Sequence, residues 1–138
     1  MSWKEILVIP SNPDELTRVD QTADKIAAEL GFSKQLRDDI AIAVTEAVNN
    51  AIVHGNKADI RKKVHITFLI EPGKLTVKIR DQGKGFDPSL LPDPTAPENL
   101  LLERGRGLFI IRHLMDELHI NLTPEGMELI LIKKLRNP

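Results

Sequence analysis

Residues 64–79 constrain the fold more than any other part of the chain. Val64, Ile66, Phe68 and Ile70 recur at every second position, Glu71-Pro72-Gly73-Lys74 turns the chain, and Leu75, Val77 and Ile79 recur at every second position again. A period of two belongs to a strand with one buried face, and a Pro-Gly turn between two such runs predicts a hairpin.

Around this hairpin the apolar pattern changes period. Lys4 to Ile9 is a short apolar run closed by Pro10 and predicts a first strand. Asn12-Pro13 supplies a cap and a first-turn proline, after which Leu16, Val19, Ala23, Ile26, Ala27 and Leu30 recur at helical spacing up to Gly31. Ser33 is placed to cap a second helix, whose face is Leu36, Ile40, Ala43, Val44, Ala47 and Ala51 and whose stop is Gly55. Leu108, Ile111, Leu114, Met115 and Leu118 predict a third helix. His119 to Thr123, a Pro124-Glu125-Gly126 turn and Met127 to Leu135 predict a last hairpin. The order β-α-α-β-β-loop-α-β-β, with strands arriving as hairpins, predicts an α+β fold. Its form is a two-layer sandwich: a mostly antiparallel mixed sheet with helices on one face.

Composition narrows the function. A chain of 138 residues with 41% hydrophobic side chains is expected to form one domain, 1–138. Nineteen Lys and Arg against twenty Asp and Glu give a net charge of −1, so no global basic field points to nucleic acid. The absence of cysteine excludes a disulfide framework, a thiol nucleophile and zinc sites built on sulfur. His54, His65, His113 and His119 show no close metal-ligand spacing. No apolar run approaches the roughly 18 residues of a membrane span, and the N-terminus lacks the pattern of a signal peptide. A cytoplasmic protein that does not enter a membrane is therefore expected. Trp3 reads as a packing or interface residue.

Three constellations carry potential chemistry. In Thr45-Glu46-Ala47-Val48-Asn49-Asn50-Ala51-Ile52-Val53-His54-Gly55, Glu46 and Asn50 are one helical turn apart on one face, among small and apolar neighbours. A carboxylate and an amide oxygen so placed can act as base and hard-cation ligand; the alternative is a polar stripe facing water. In Asp81-Gln82-Gly83-Lys84-Gly85-Phe86-Asp87, an acidic residue at a strand end can accept from an amine such as that of adenine. Gly83 and Gly85 permit close backbone approach, the alternative being a plain strand-exit turn. In Glu103-Arg104-Gly105-Arg106-Gly107-Leu108, free amides at a helix start beside Arg104 and Arg106 make an anion site; the alternative is a hinge with solvated arginines. Neither a dinucleotide fingerprint nor a P-loop is present. From Asp81 to Gly107 periodicity vanishes, and Pro88, Pro92, Pro94 and Pro97 argue against a regular element.

In this order the three segments resemble the N, G1 and G2 boxes of the GHKL superfamily of ATPases and kinases. Glu46 to Gly55 with Arg104-Gly105-Arg106-Gly107-Leu108 is similar to one branch, the bacterial anti-sigma-factor serine/threonine kinases. The resemblance implies a histidine-kinase-like ATPase fold binding ATP and Mg²⁺, with a lid over residues 87–107. It implies Glu46 as general base, Asn50 as magnesium ligand, and Asp81 as reader of the adenine amine with Gly83 and Gly85 closing around base and ribose. Gly105 and Gly107 would bring amides to the phosphates, and Arg104 or Arg106 would add charge. It further implies a homodimer that phosphorylates a STAS-type anti-anti-sigma protein and sequesters a sigma factor, with no direct contact to nucleic acid. A nucleotide-dependent binding module without phosphotransfer, and a detached histidine-kinase catalytic domain, are the alternatives. One departure is present: many relatives place Ser or Thr early in the last strand, where this chain has Met127-Glu128 after Gly126.

Overall fold

The computed structural model describes residues 2–83 and 103–136. Five strands and three helices follow in the order β1 (Trp3–Pro10), α1 (Leu16–Leu30), α2 (Lys34–Asn50), β2 (Lys63–Glu71), β3 (Lys74–Arg80), α3 (Glu103–Leu114), β4 (Glu117–Thr123) and β5 (Gly126–Lys134). A short 3₁₀ turn, Pro13–Glu15, leads into α1, and a π-helical turn, Ala51–Gly55, prolongs α2. The caps are those the sequence advertises. The Asn12 side chain accepts from the Asp14 amide at 3.0 Å, and Ser33 Oγ accepts from the Leu36 amide at 3.3 Å. Gly31 ends α1 in the left-handed region at φ 95°.

The strand order is β1-β2-β3-β5-β4, and every neighbouring pair is antiparallel. The sheet is thus antiparallel throughout among the described residues, where a partly parallel one was expected. The reason is topological: β4 runs in the direction of β3, but β5 inserts between them and pairs with both.

Period-two register stacks apolar rows across the strands. Leu7, Ile66, Ile79, Leu129 and Ile120 form one row, and Phe68, Val77, Leu131 and Leu118 form the next. These rows pack against Val19, Ala23, Ile26 and Ala27 of α1 and Ile40, Ala43, Val44, Ala47 and Val48 of α2 in one core. Burying a side chain such as Phe68 or Ile66 contributes about 1.5–3 kcal/mol, so the sheet's inner face fixes where the helices lie. Helix α2 packs against both α1 and α3, which seats its last turns beside the start of α3.

The third helix ends earlier than its apolar spacing suggests. Leu118 lies in β4, since the chain leaves the helix at Leu114 and strand pairing begins at Glu117. The Asp116 amide donates to Ile132 O at 2.9 Å, and Lys133 Nζ donates to Leu114 O at 2.6 Å. An apolar residue at position 118 satisfies either period, and the β5 ladder decides between them.

Candidate functional site

The end of α2 carries a polar group that an ordinary surface helix would not bury. Asn50 is 4% exposed, and among the described residues neither its Oδ1 nor its Nδ2 has a hydrogen-bond partner. An unpaired buried polar atom costs about 1–3 kcal/mol, so two on one side chain imply that something else is meant to meet them. They border a cavity of about 30 Å³ lined by Glu46, Asn49, Asn50, His54 and Gly107. That is room for about one water-sized group. Gly107 closes it from α3: a Cβ there would lie 3.4 Å from Glu46 Oε2 and 3.6 Å from Asn50 Nδ2.

The donor set fits a magnesium ion. The orphaned carboxamide oxygen of Asn50 is a hard oxygen ligand, and the Glu46 carboxylate beside it adds negative charge at the cavity. Among the described residues no cluster of three His, Cys, Asp or Glu could cage a metal, and magnesium shared with phosphates does not require one.

A second place lies where β3 ends. Asp81 is 3% exposed; its Oδ1 accepts from the amides of Gly83 and Met127, both at 3.0 Å, and its own amide donates to Met127 O at 3.1 Å. One carboxylate oxygen is therefore consumed in shaping the turn. The other, Oδ2, faces Gly55 and takes no hydrogen bond among the described residues. Glycines crowd the carboxylate closely. A Cβ on Gly55 would fall 2.0 Å from Asp81 Oδ2, one on Gly126 2.2 Å from Asp81 O, and one on Gly83 1.9 Å from Gly55 O. No side chain fits at any of them, which explains these glycines better than turn geometry does.

The π-helical turn joins the two places. Widening the last turn to Ala51–Gly55, with the Asn56 amide on Ala51 O at 2.8 Å, sets His54 at the cavity and Gly55 against Asp81. Single π turns inside helices are frequent at functional sites.

Glu46, Asn50 and Gly107 are thus brought together, and Asp81 and Gly83 form a buried turn one residue from that cavity through Gly55 and His54. Arg104 and Gly105 lie in the first turn of α3, and Arg106 is exposed beside Gly107. Gly85 and most of the expected lid over 87–107, residues 87–102, lie outside the described residues. Sequence reasoning missed Asn49, His54, Gly55, Asn56 and Gly126. Gly55 read only as a helix stop, because the strand-end carboxylate it meets is far away in the chain.

A buried amide without partners, a neighbouring carboxylate and a glycine-walled acidic turn thus lie together on an α/β sandwich. The chain belongs to the histidine kinase-like ATPase domain family, whose profile matches residues 9–133. It is similar to the serine-protein kinase RsbW of Listeria monocytogenes, 30% identical over 139 residues that cover 96% of this chain and 88% of that protein. The serine-protein kinase RsbW of Bacillus licheniformis is 33% identical over 122 residues, covering 82% of this chain and 74% of that protein. Among solved structures, the RsbU and RsbW domains of a Mycobacterium tuberculosis protein match with a TM-score of 0.72 at 19% identity. That match covers 99% of this chain and 33% of the mycobacterial one. The catalytic domain of histidine kinase ThkA matches with a TM-score of 0.60 at 17% identity, covering 94% and 97%. At such identities the structural matches speak for the fold.

Proposed function

We propose that the protein is an ATP-dependent serine/threonine kinase and anti-sigma factor. It would act in the cytoplasm, phosphorylate a STAS-type anti-anti-sigma protein and sequester a sigma factor. The observation that carries the reading is the pair of unpartnered polar atoms on Asn50, one turn from Glu46. The curated relatives named serine-protein kinase, matched over most of their length, support the choice of acceptor.

The residues divide the work. Glu46 takes the proton from the acceptor hydroxyl as its oxygen bonds to the γ-phosphorus; the bond to the β–γ bridging oxygen breaks and ADP leaves. Asn50 Oδ1 would hold magnesium, which neutralises charge on the phosphate oxygens. The amides of Gly105 and Gly107 at the start of α3, with Arg104 or Arg106, would face the phosphates. Asp81 Oδ2 accepts the adenine amine while Oδ1 stays fixed by two amides. Early in the last strand, Met127 is 4% exposed and its backbone amide donates to Asp81, so that the strand's start serves the base end of the site.

Incubation with γ-labelled ATP, Mg²⁺ and a STAS protein is expected to leave acid-stable label on the partner. ATP binding without label would favour a nucleotide-dependent binding module. Acid-labile label would favour histidine as acceptor.

Replacing Asp81 by Asn tests the base end. The side chain must keep its oxygen toward the Gly83 and Met127 amides, which turns a donor toward the adenine amine. ATP affinity should fall by about 1–3 kcal/mol, roughly 5- to 150-fold. Unchanged affinity by calorimetry would remove Asp81 from this role.

Pairing with a second copy is also proposed. Edge strand β1 exposes Trp3 (52%), Ile6 (53%) and Val8 (47%), and Ile6 and Val8 share the sheet face turned away from the helices. In sedimentation velocity an Ile6→Glu, Val8→Glu double variant should run as a monomer while the parent runs as a dimer.

A further inference from the structure

Asn56 is fully buried and polar, and the chemistry above does not use it. Its carboxamide spans three segments that are remote in sequence. Nδ2 donates to Ser11 Oγ at 2.8 Å, just past β1, and to Lys63 O at 3.0 Å, at the start of β2. Its Oδ1 accepts from the Gln82 amide at 2.7 Å, in the turn that leaves β3. The staple is reinforced from both sides. Ser11 Oγ donates to Lys62 O at 2.8 Å, and the Lys63 amide donates to Gln82 Oε1 at 2.5 Å.

We infer that Asn56 is a positioning residue for nucleotide recognition, setting the orientation of Asp81 by holding the peptide that follows it. The Gln82 amide belongs to the Asp81–Gln82 peptide plane, so its bond to Asn56 fixes the plane from which the Asp81 side chain departs. From the other side, Gly83 and Met127 fix Oδ1. Asn56 also directly follows the π-helical turn, and its own amide bonds Ala51 O. One residue therefore ties the helix end that carries His54 and Gly55 to the turn that carries Asp81. Only a carboxamide serves, because the position needs two donor contacts and one acceptor contact. Aspartate would set an oxygen against Lys63 O, and serine is too short to span the three partners.

The inference rests on the reading that Asp81 accepts the adenine amine, and the experiment separates the two. Equilibrium affinities for ATP and for inosine triphosphate, which carries a carbonyl oxygen in place of that amine, are measured with Mg²⁺ on the full chain. The parent, Asn56→Ala and Ser11→Ala are compared, each checked for folding by circular dichroism and melting. The parent should favour ATP. In Asn56→Ala that preference should fall roughly tenfold through weakened ATP binding, with inosine triphosphate affinity within about twofold of the parent. Ser11→Ala, which removes one of the two Nδ2 acceptors, should lose roughly two- to threefold of the preference. A purely structural role would lower the melting temperature and weaken both nucleotides alike.

A parent without preference overturns the Asp81 reading. A parent with preference, retained in full by folded Asn56→Ala, overturns the positioning role alone. Should Asn56→Ala fail to fold, Ser11→Ala decides: a reduced ratio supports the inference and an unchanged one overturns it.

Discussion

Glu46→Ala should bind ATP with Mg²⁺ within about twofold of the parent yet transfer phosphate 10²–10⁴-fold more slowly, the range a general base contributes. The expectation follows from the division of the site. The groups assigned to nucleotide binding, Asn50 and the Asp81 turn, do not depend on the Glu46 carboxylate for their geometry. Asp81 is held by the Gly83 and Met127 amides, and Asn50 makes no hydrogen bond to Glu46. Removing the carboxylate widens the small cavity and takes away the proton acceptor without disturbing either. Glu46→Gln keeps the volume and should show the same loss, which separates proton acceptance from packing against Gly107. Single-turnover transfer to the STAS partner, with binding measured in parallel, checks both. Transfer at the parent rate by either variant would overturn the mechanism.

The elements most legible in the sequence were those whose period is enforced by one buried face. The β2–β3 hairpin was readable because Val64, Ile66, Phe68, Ile70, Leu75, Val77 and Ile79 all point into one core. The caps at Asn12, Gly31 and Ser33 were readable because they act within a few residues. Glu46 and Asn50 stood out as polar residues on a buriable helix, although sequence could not tell a solvated stripe from a buried, unpartnered amide. What escaped depends on long-range closure. The end of α3 is set by the β5 ladder, the π turn leads into a buried staple at Asn56, and Gly55 and Gly126 are required by a carboxylate many residues distant. A glycine needed because another chain segment touches it looks in sequence like any other turn.

Gly83→Ala should weaken ATP binding roughly 5- to 150-fold while leaving the fold, because the added methyl has nowhere to go that spares the Asp81 turn. Its Cβ would sit 1.9 Å from Gly55 O and 2.7 Å from Gly55 C, and both atoms are backbone. No rotamer can relieve the contact. On one side, the π turn is fixed by the Asn56 amide on Ala51 O at 2.8 Å and the Ala58 amide on Ile52 O at 2.7 Å. On the other, the Gly83 amide is committed to Asp81 Oδ1 at 3.0 Å. The segment that yields is that of Gly83, because Gly55 ends a helix whose last turn is anchored in the core by Ala51 and Ile52. Moving Gly83 frees Asp81 Oδ1 from one of its two amides and turns the carboxylate from its set direction. Overpacking of this kind costs about 1–3 kcal/mol or more, enough to weaken binding roughly 5- to 150-fold if it falls wholly on the nucleotide site. Gly73→Ala supplies the contrast. Gly73 has φ 72°, so alanine there is strained, but its Cβ would meet only Leu135 O at 3.7 Å in the distant β2–β3 turn. That variant should melt lower than the parent and bind ATP normally, whereas Gly83→Ala should melt near the parent and bind ATP poorly. Parent-like ATP affinity in folded Gly83→Ala would place the nucleotide somewhere other than the Asp81 turn.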